Sequence, residues 1–143
     1  MSGESITVQG RAPALAAYPH ARRAGPFVFV SGISSRRPDG THVGATVVRD
    51  ENGEVVGVDK DIRAQTEAVL TNIDTILRAT GLSLANVVDV TVFLVDMADY
   101  GGMNEVYNGY FDAATGPSRT TVAVAELPHP NLLVEIKAIA YAE

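Results

Sequence analysis

The alternation of apolar and polar residues along the chain predicts several strands separated by two helices. The stretch 25–32, Gly-Pro-Phe-Val-Phe-Val-Ser-Gly, is β-branched and aromatic and ends in glycine, and 87–95 alternates around two polar residues, so both predict strands. Between them, apolar residues recur with helical spacing, which predicts a helix that starts after Asp59 or Asp61 and runs to about Thr80. The apolar face of this helix consists of Val69, Leu70, Ile73, Ile76 and Leu77.

Weaker patterns complete the order of elements. The remaining predicted elements are a strand at 6–9, a hairpin of 43–48 and 54–58, a helix at about 99–111, and two strands near 119–125 and 132–142. This order predicts an α+β fold in which a mixed sheet carries two helices on one face. Two helices cover only one face of a sheet, so we expect subunits of an oligomer to bury the other face, with Phe27, Phe29 and Val92 or their alternates.

Composition and charge narrow the functional class. The 143 residues are enough for one domain, 1–143, and 46% of them are hydrophobic, which argues against disorder. The net charge of −6 disfavours nucleic acid as a partner, because phosphates require a basic surface. The absence of cysteine excludes disulfides, thiolate metal ligands and thiol nucleophiles. Without a signal-peptide pattern or an apolar run of membrane-spanning length, we expect a cytoplasmic protein that does not contact membranes.

Two residues near the end of the sequence are the strongest candidates for chemistry. Arg119 stands at the start of an apolar strand, and a guanidinium can bind the carboxylate of a small organic acid through two parallel hydrogen bonds. Glu135 lies between Val134 and Ile136, so partial burial should raise its pKa towards the range useful for proton transfer. The alternatives are structural: Arg119 could form a surface ion pair, and Glu135 could face outward and pair with Lys137.

Other candidate groups carry weaker signals. His20, His42 and His129 lie in predicted loops without the spacing of metal ligands or of a paired catalytic site, so we expect no metal. Ser31 precedes Gly32 at a strand end, but no nucleophile elbow surrounds it. The glycines show no phosphate-binding pattern, and we expect no cofactor. By themselves, these residues indicate a small α+β protein that binds an organic acid.

Five segments together carry a resemblance to a known family. They are Val30-Ser31-Gly32, Thr91-Val92-Phe93-Leu94-Val95-Asp96, Met103-Asn104-Glu105-Val106-Tyr107, Gly116-Pro117-Ser118-Arg119-Thr120-Thr121 and Val134-Glu135-Ile136. With them, the chain from about 18 to 140 resembles the reactive-intermediate deaminase (RidA/YjgF) family. The resemblance implies a chorismate-mutase-like fold and a barrel-like homotrimer with three sites between subunits. It also implies hydrolysis of enamines and imines to keto compounds and ammonia without a cofactor.

The resemblance also implies roles for single residues. Arg119 matches the arginine that binds the substrate carboxylate, and Glu135 matches the acid that positions and activates water. The other matching pocket residues are Ser31, Gly32, Tyr18 and Asn104. Thr121 stands where many relatives have cysteine. Because imine hydrolysis needs no thiol, we expect this difference to alter the pocket without removing activity.

A finer resemblance is to the 2-aminomuconate deaminases of bacterial aromatic-compound degradation. It rests on 34–53, which is longer and more basic at its start than in ordinary relatives, and on 18–23. The substrate of these enzymes is a six-carbon dicarboxylate, and a second carboxylate left unpaired would be costly to desolvate. The candidates for a second cationic contact are Arg36, Arg37, His20 and Arg22. Alternatively, these side chains are solvated loop charges.

The function predicted from the sequence is therefore that of a 2-aminomuconate deaminase, a hydrolase of C–N bonds that releases ammonia and an oxo acid. One alternative is a general 2-imino acid deaminase of the same family. Another is a non-catalytic protein that binds small carboxylates. Ribonuclease activity, a label that some relatives carry, is disfavoured by the acidic net charge and by the absence of a paired histidine site.

Overall fold

A six-stranded sheet forms the centre of the structure, a computed structural model that describes residues 3–143. The strands are β1 (Glu4–Ile6), β2 (Ala21–Ala24), β3 (Phe27–Ile33), β4 (Ala45–Arg49), β5 (Val55–Lys60), β6 (Val87–Leu94), β7 (Ser118–Ala123) and β8 (Val134–Tyr141), and the helices are α1 (Ile62–Arg78) and α2 (Tyr100–Tyr107). The order in the sheet is β1-β2-β3-β8-β6-β7, and β4 and β5 pair as a separate hairpin. Neighbouring strands are antiparallel except for the parallel pair β6 and β7. The predicted mixed sheet is therefore confirmed.

The helix α1 forms where the sequence predicts it. Asp61 caps its start, since the carboxylate accepts hydrogen bonds from the backbone N–H groups of Arg63 and Ala64. The chain leaves the helix through Gly81, whose φ of 85° is a left-handed conformation that suits glycine. The apolar face of α1 is buried against the sheet, and α2 packs beside it, so both helices lie on one face. No helix among the described residues is long and apolar enough to cross a membrane.

Three elements differ from the sequence prediction. The first strand covers Glu4–Ile6 rather than 6–9, because its pairing with β2 ends at Ile6 and the backbone N–H of Val8 bonds to the ring of His20. The second helix ends at Tyr107 rather than near 111, because the N–H groups of Gly109 and Tyr110 bond to carbonyls three residues back, which closes the helix in tight turns. The strand β2 was not predicted, since its sequence, Ala-Arg-Arg-Ala, has no apolar alternation. It forms because it pairs along the edge of β3, with Ala21 opposite Val30.

The two faces of the sheet differ in what covers them. Side chains of β6 such as Val92 face the helices and are fully buried, so Val92 does not lie on the uncovered face as expected. That uncovered face carries Phe27, Phe29 and Tyr141, whose rings pack together with 39%, 38% and 40% of their surfaces exposed. We call these three residues the aromatic patch. It is an apolar surface without a cover in the isolated chain.

A buried glutamine connects α1 to two loops. Gln65 is fully buried, and its amide nitrogen donates to the carbonyls of Gly44 and Asn131, at 3.2 and 2.8 Å. Its amide oxygen accepts from the backbone N–H of Leu133 at 2.8 Å. Each hydrogen bond of the Gln65 side chain therefore holds either the loop before β4 or the loop before β8 against the helix.

Replacing this glutamine by an apolar residue of similar size is expected to destabilise the protein. Gln65→Leu leaves the carbonyl of Asn131 and the N–H of Leu133 without their partner, which should lower the free energy of unfolding by about 2 kcal/mol or more. Chemical denaturation followed by circular dichroism measures the change. Thr75→Leu, an exposed position on the same helix, serves as the matched control and should change stability by less than about 0.5 kcal/mol. Equal stability in the two variants would contradict a structural role for the amide.

Candidate functional site

A cavity of about 230 Å³ opens where β3 separates from β8. The register between these strands shifts between Val30 and Ile33, so the residues of the shift leave the ladder and line the cavity. Six of the candidate residues from the sequence line it: Tyr18, His20, Ser31, Gly32, Arg36 and Glu135. We call this space the Glu135 cavity. These six residues lie around one cavity, whereas Arg37, Asn104, Arg119 and Thr121 do not line it.

Glu135 is the only acidic residue that lines the cavity among the described residues. Its carboxylate is half-buried and has no hydrogen-bond or ion-pair partner within 3–143, and burial raises its pKa above the ordinary value of 4.5. Gly32 lies beside it, and a Cβ atom at that position would stand 2.9 Å from the carboxyl carbon of Glu135. A larger residue at position 32 would therefore displace the Glu135 carboxylate from this position. A half-buried carboxylate without a partner is suited to accept a proton.

Ser31 and His20 hold the cavity wall rather than offering free donors. The Ser31 hydroxyl donates to the carbonyl of Pro19 at 2.7 Å. The ring of His20 accepts from the N–H of Val8 through Nδ1 and donates through Nε2 to the carbonyl of Ala12, so both nitrogens are engaged. The expected substrate contact of His20 therefore has no free nitrogen to make it.

The two loop arginines have different surroundings. Arg36 lines the cavity, and one guanidinium nitrogen donates to the carbonyl of Pro13. Arg37 does not line it and donates to the hydroxyl of Thr41 at 3.1 Å. Arg22 lies on β2, opposite Phe29, and also does not line the cavity. Of the three arginines proposed for a second carboxylate, only Arg36 is placed for that contact.

The structure also brings together two histidines that the sequence analysis did not pair. The rings of His42 and His129 stack with their centroids 4.4 Å apart, and both line the Glu135 cavity. The expectation that no paired histidine site exists was therefore wrong. The two residues are far apart in the sequence, and no spacing pattern joins them. Their proximity comes from the two loops that Gln65 holds.

Arg119 lies in a different cluster, between β7 and α2. Its guanidinium is 4.6 Å from the ring centre of Tyr107 and donates to the hydroxyl of Tyr100 at 3.1 Å. A second nitrogen lies 3.9 Å from the sulfur of Met103. The guanidinium is oriented by aromatic and thioether surfaces and has no carboxylate partner among the described residues.

Buried polar atoms without partners lie on β7 and α2, the two elements that flank the Arg119 guanidinium. They are Asn104 Oδ1, Tyr107 Oη and Thr121 Oγ1. Asn104 and Thr121 are two of the residues that the sequence analysis placed in the pocket, while Tyr107 was not predicted. Buried polar atoms are normally paired, so such a group indicates a place where a ligand or another chain supplies the missing contacts. We call these residues, with Arg119, the Arg119 cluster.

Within one chain, Arg119 and Glu135 lie on opposite faces of the sheet. Arg119 is opposite Val90 in the β6–β7 pair, and Val90 faces the helices. Glu135 is opposite Phe93, which alternates with residues of the helix-covered face and so points away from the helices. The strand β6 also separates the two residues. One subunit therefore does not bring them to the same small molecule.

Known proteins resemble this chain over nearly its whole length. Residues 9–142 match the family described as Endoribonuclease L-PSP. A RutC family protein of Pyrococcus horikoshii is 40% identical over 140 residues, with 98% of each chain covered. The 3-aminoacrylate deaminase RutC of Acinetobacter baylyi is 39% identical over 141 residues, with 99% of each chain covered. The crystal structure of Escherichia coli TdcF with bound serine has a TM-score of 0.77 and 31% identity, covering 98% of this chain and 99% of that chain.

Removal of the Glu135 charge is expected to stabilise the protein at neutral pH. Burial raises the pKa of Glu135 in the folded state, so ionisation of this carboxylate destabilises the protein, with the full effect above the folded-state pKa. The destabilisation disappears as the pH falls below the pKa of Glu135 in the unfolded state. Glu135→Gln should therefore have a higher Tm than the wild type at about pH 7.5 and an equal Tm at about pH 4. Thermal unfolding at both pH values measures the difference.

Glu126→Gln is the matched control, since it removes the charge of an exposed glutamate. It should leave Tm unchanged at both pH values. A lower Tm of Glu135→Gln at neutral pH would show instead that the carboxylate makes stabilising contacts.

Proposed function

The chain belongs to the Endoribonuclease L-PSP family, the group of the RutC and RidA reactive-intermediate deaminases, and on this premise we propose that it hydrolyses the enamine or imine form of 2-aminomuconate. The proposed products are ammonia and an oxo-hexenedioate. The observation that carries the proposal is the half-buried carboxylate of Glu135, which has no partner among the described residues. The other charged or basic residues that line its cavity are arginines and histidines. Such a cavity suits an anionic substrate that must exchange protons with one base.

The proposed reaction uses one carboxylate for its proton transfers. After the enamine tautomerises to the imine, Glu135 takes a proton from water as the oxygen attacks the C=N carbon. With the imine nitrogen protonated at the outset, this attack gives a neutral carbinolamine and a protonated Glu135. Glu135 returns its proton to the amino nitrogen, the C–N bond breaks, and ammonia leaves as C=O forms, while the hydroxyl proton of the carbinolamine passes to Glu135 and then to the released ammonia. The raised pKa of Glu135 suits this role, because the group must both accept and donate a proton near neutral pH.

The proposed role of Arg119 is to hold the carboxylate next to the reacting carbon. A guanidinium fixes the position of the carbon and withdraws electron density from it. E. coli TdcF binds serine, a small molecule with a carboxylate, which supports a carboxylate-binding site in this fold. The surfaces of Tyr100 and Tyr107 already orient the guanidinium for such a contact.

We further propose that the active site lies between subunits of a homotrimer. The opposite-face positions of Arg119 and Glu135 support this arrangement, since the Arg119 cluster of one subunit can meet the Glu135 cavity of its neighbour. The unpartnered atoms of Asn104 and Thr121 and the exposed aromatic patch point the same way. Under this proposal the site is incomplete in a single chain.

Three alternatives remain for the activity. A general 2-imino acid deaminase uses the same Arg119 and Glu135 but shows no preference for a second carboxylate. A non-catalytic carboxylate-binding protein needs Arg119 and is indifferent to the charge of Glu135. A ribonuclease would fit the name of the family and gains the paired histidines, but the net charge of −6 opposes a polyanionic substrate.

Mixing two inactive variants is expected to restore activity if the site lies between subunits. Arg119→Ala and Glu135→Gln should each lower kcat by about a hundredfold or more, measured as ammonia released from 2-iminobutyrate generated in situ. When the two chains are co-expressed with different tags and purified as mixed trimers, about a quarter of the sites should contain both native residues. Activity of the mixture should rise to a similar fraction of the wild type.

Two controls keep this experiment specific. Mixing the double variant Arg119→Ala/Glu135→Gln with Arg119→Ala should restore nothing, because no chain then supplies the arginine. Arg119→Lys should remain impaired, since an ammonium cannot reproduce two parallel hydrogen bonds. Absence of ammonia release from the wild type, with carboxylate binding unchanged in Glu135→Gln, would support the binding-protein alternative. Wild-type turnover in Glu135→Gln would show that Glu135 is not catalytic, and RNA cleavage that disappears in Arg119→Ala would support the ribonuclease.

The preference for a dicarboxylate is expected to depend on Arg36 and not on Arg37. Loss of a charge-assisted contact in Arg36→Ala should lower the ratio of kcat/KM for 2-aminomuconate to that for 2-iminobutyrate by about ten- to a hundredfold. Arg37→Ala removes the same charge from a residue outside the cavity and should leave the ratio unchanged. Equal ratios in the wild type and Arg36→Ala would favour the general 2-imino acid deaminase.

A further inference from the structure

The Nε2 atom of His42 is a buried donor or acceptor without a partner at the wall of the Glu135 cavity. Only 4% of the residue is exposed, and this nitrogen makes no hydrogen bond among the described residues. A buried polar atom without a partner destabilises the folded state unless a bound group satisfies it. The position therefore indicates a contact with whatever occupies the cavity.

The charges around His42 define the kind of group that would bind there. The cavity is lined by Arg11 and Arg36 together with three histidines, in a protein of net charge −6. Arg11 is engaged with the side chain of Asn72, and the two ring nitrogens of His20 are engaged with the backbone. Arg36 also has one nitrogen engaged, with the carbonyl of Pro13, so each arginine keeps further N–H donors for an anion beside His42 and His129.

His129 can donate into the same space. Its Nδ1 accepts a hydrogen bond from the N–H of Asn131 at 3.1 Å, which places the proton of the neutral ring on Nε2. Its ring stacks on that of His42, and Arg36 pairs with His42 through a backbone bridge. The side chains of Arg36, His42 and His129 therefore line the same cavity from two loops.

We propose that His42, with His129, binds the distal carboxylate of a dicarboxylate substrate and takes up a proton as it does so. The proposal rests on the proposed deaminase function for the identity of the substrate. It assigns substrate specificity to a residue separate from Glu135 and Arg119, which act on the reacting carbon. The bound carboxylate supplies the hydrogen-bond partner that Nε2 lacks.

Proton uptake follows from the charges that face His42. Burial lowers the pKa of His42, and His129, Arg36 and Arg37 lower it further, so the ring is neutral in the empty cavity at neutral pH. Glu135 is the one opposing charge among the residues that line the cavity. A carboxylate in contact with His42 favours the imidazolium and raises its pKa, so binding and protonation are linked.

The test compares two unreactive six-carbon ligands by calorimetry. cis,cis-Muconate has a carboxylate at each end, and sorbate has the same length with only one. Titrations at about pH 7.5 in Tris and in PIPES, whose ionisation enthalpies differ, together give the number of protons taken up on binding. We expect uptake of up to about one proton per muconate and none for sorbate. The affinity for muconate should also increase as the pH falls towards about 6.5.

Two variants of His42 separate binding from protonation. His42→Gln keeps a donor but cannot take up a proton, so it should abolish proton uptake and retain part of the affinity for muconate. His42→Leu should lower that affinity by about tenfold or more and leave the affinity for sorbate unchanged. Thermal unfolding verifies that each variant is folded, and Arg37→Ala, outside the cavity, should retain proton uptake.

The result also separates this proposal from the proposed function. Muconate binding without proton uptake, uptake that persists in His42→Gln, or failure of the wild type to bind muconate would each overturn the role of His42. Hydrolysis of 2-iminobutyrate by the wild type and by His42→Gln tests the deaminase activity independently. If that hydrolysis is absent while muconate binds with proton uptake, the deaminase function is wrong and the histidine contact stands.

Discussion

The shape of the Glu135 cavity depends on one buried amide, that of Gln65. Gly44 follows His42 by two residues and Asn131 follows His129 by two, so this amide holds both histidine-bearing loops at one turn of α1. Hydrogen bonds to a buried amide require accurately placed partners, because a shift by the length of a bond breaks them and no water replaces them. The apolar face of α1 fixes the helix on the sheet, and Gln65 extends that fixed position to the loops.

The alternation of side chains in the sheet sets a second constraint. The strands β7 and β8, which β6 separates, place Arg119 and Glu135 on opposite faces, and no loop movement within one chain can change the face of a residue paired in a strand. Joint action of the two residues therefore requires two chains. The aromatic patch, which is apolar and uncovered, supports the proposed association. In the proposed trimer, the requirement for burial and the requirement for catalysis are met by the same contact.

The sequence predicted most elements and part of the site, for physical reasons that differ. The apolar residues of α1, β6 and β8 recur at regular spacing because one face of each element is buried, so these elements could be predicted. Glu135 was found because a carboxylate between apolar residues conflicts with its environment. His42 and His129 were not paired because their proximity depends on Gln65 and two loops, and no local pattern encodes such a contact. The orientation of Arg119 towards α2 likewise depends on the register of β7 with β6.

Charge balance explains why a titratable residue suits the distal end of the proposed site. A dianion beside Glu135 would raise the pKa of that carboxylate further and leave a smaller fraction of it ionised and able to take a proton from water, unless nearby cations offset the charge. Arg36 offers a permanent charge, but another permanent charge in the wall would have to remain desolvated whenever the cavity is empty. His42 avoids this cost, because burial keeps it neutral until an anion arrives. A proton acquired with the substrate then provides the missing positive charge only while the dianion is bound.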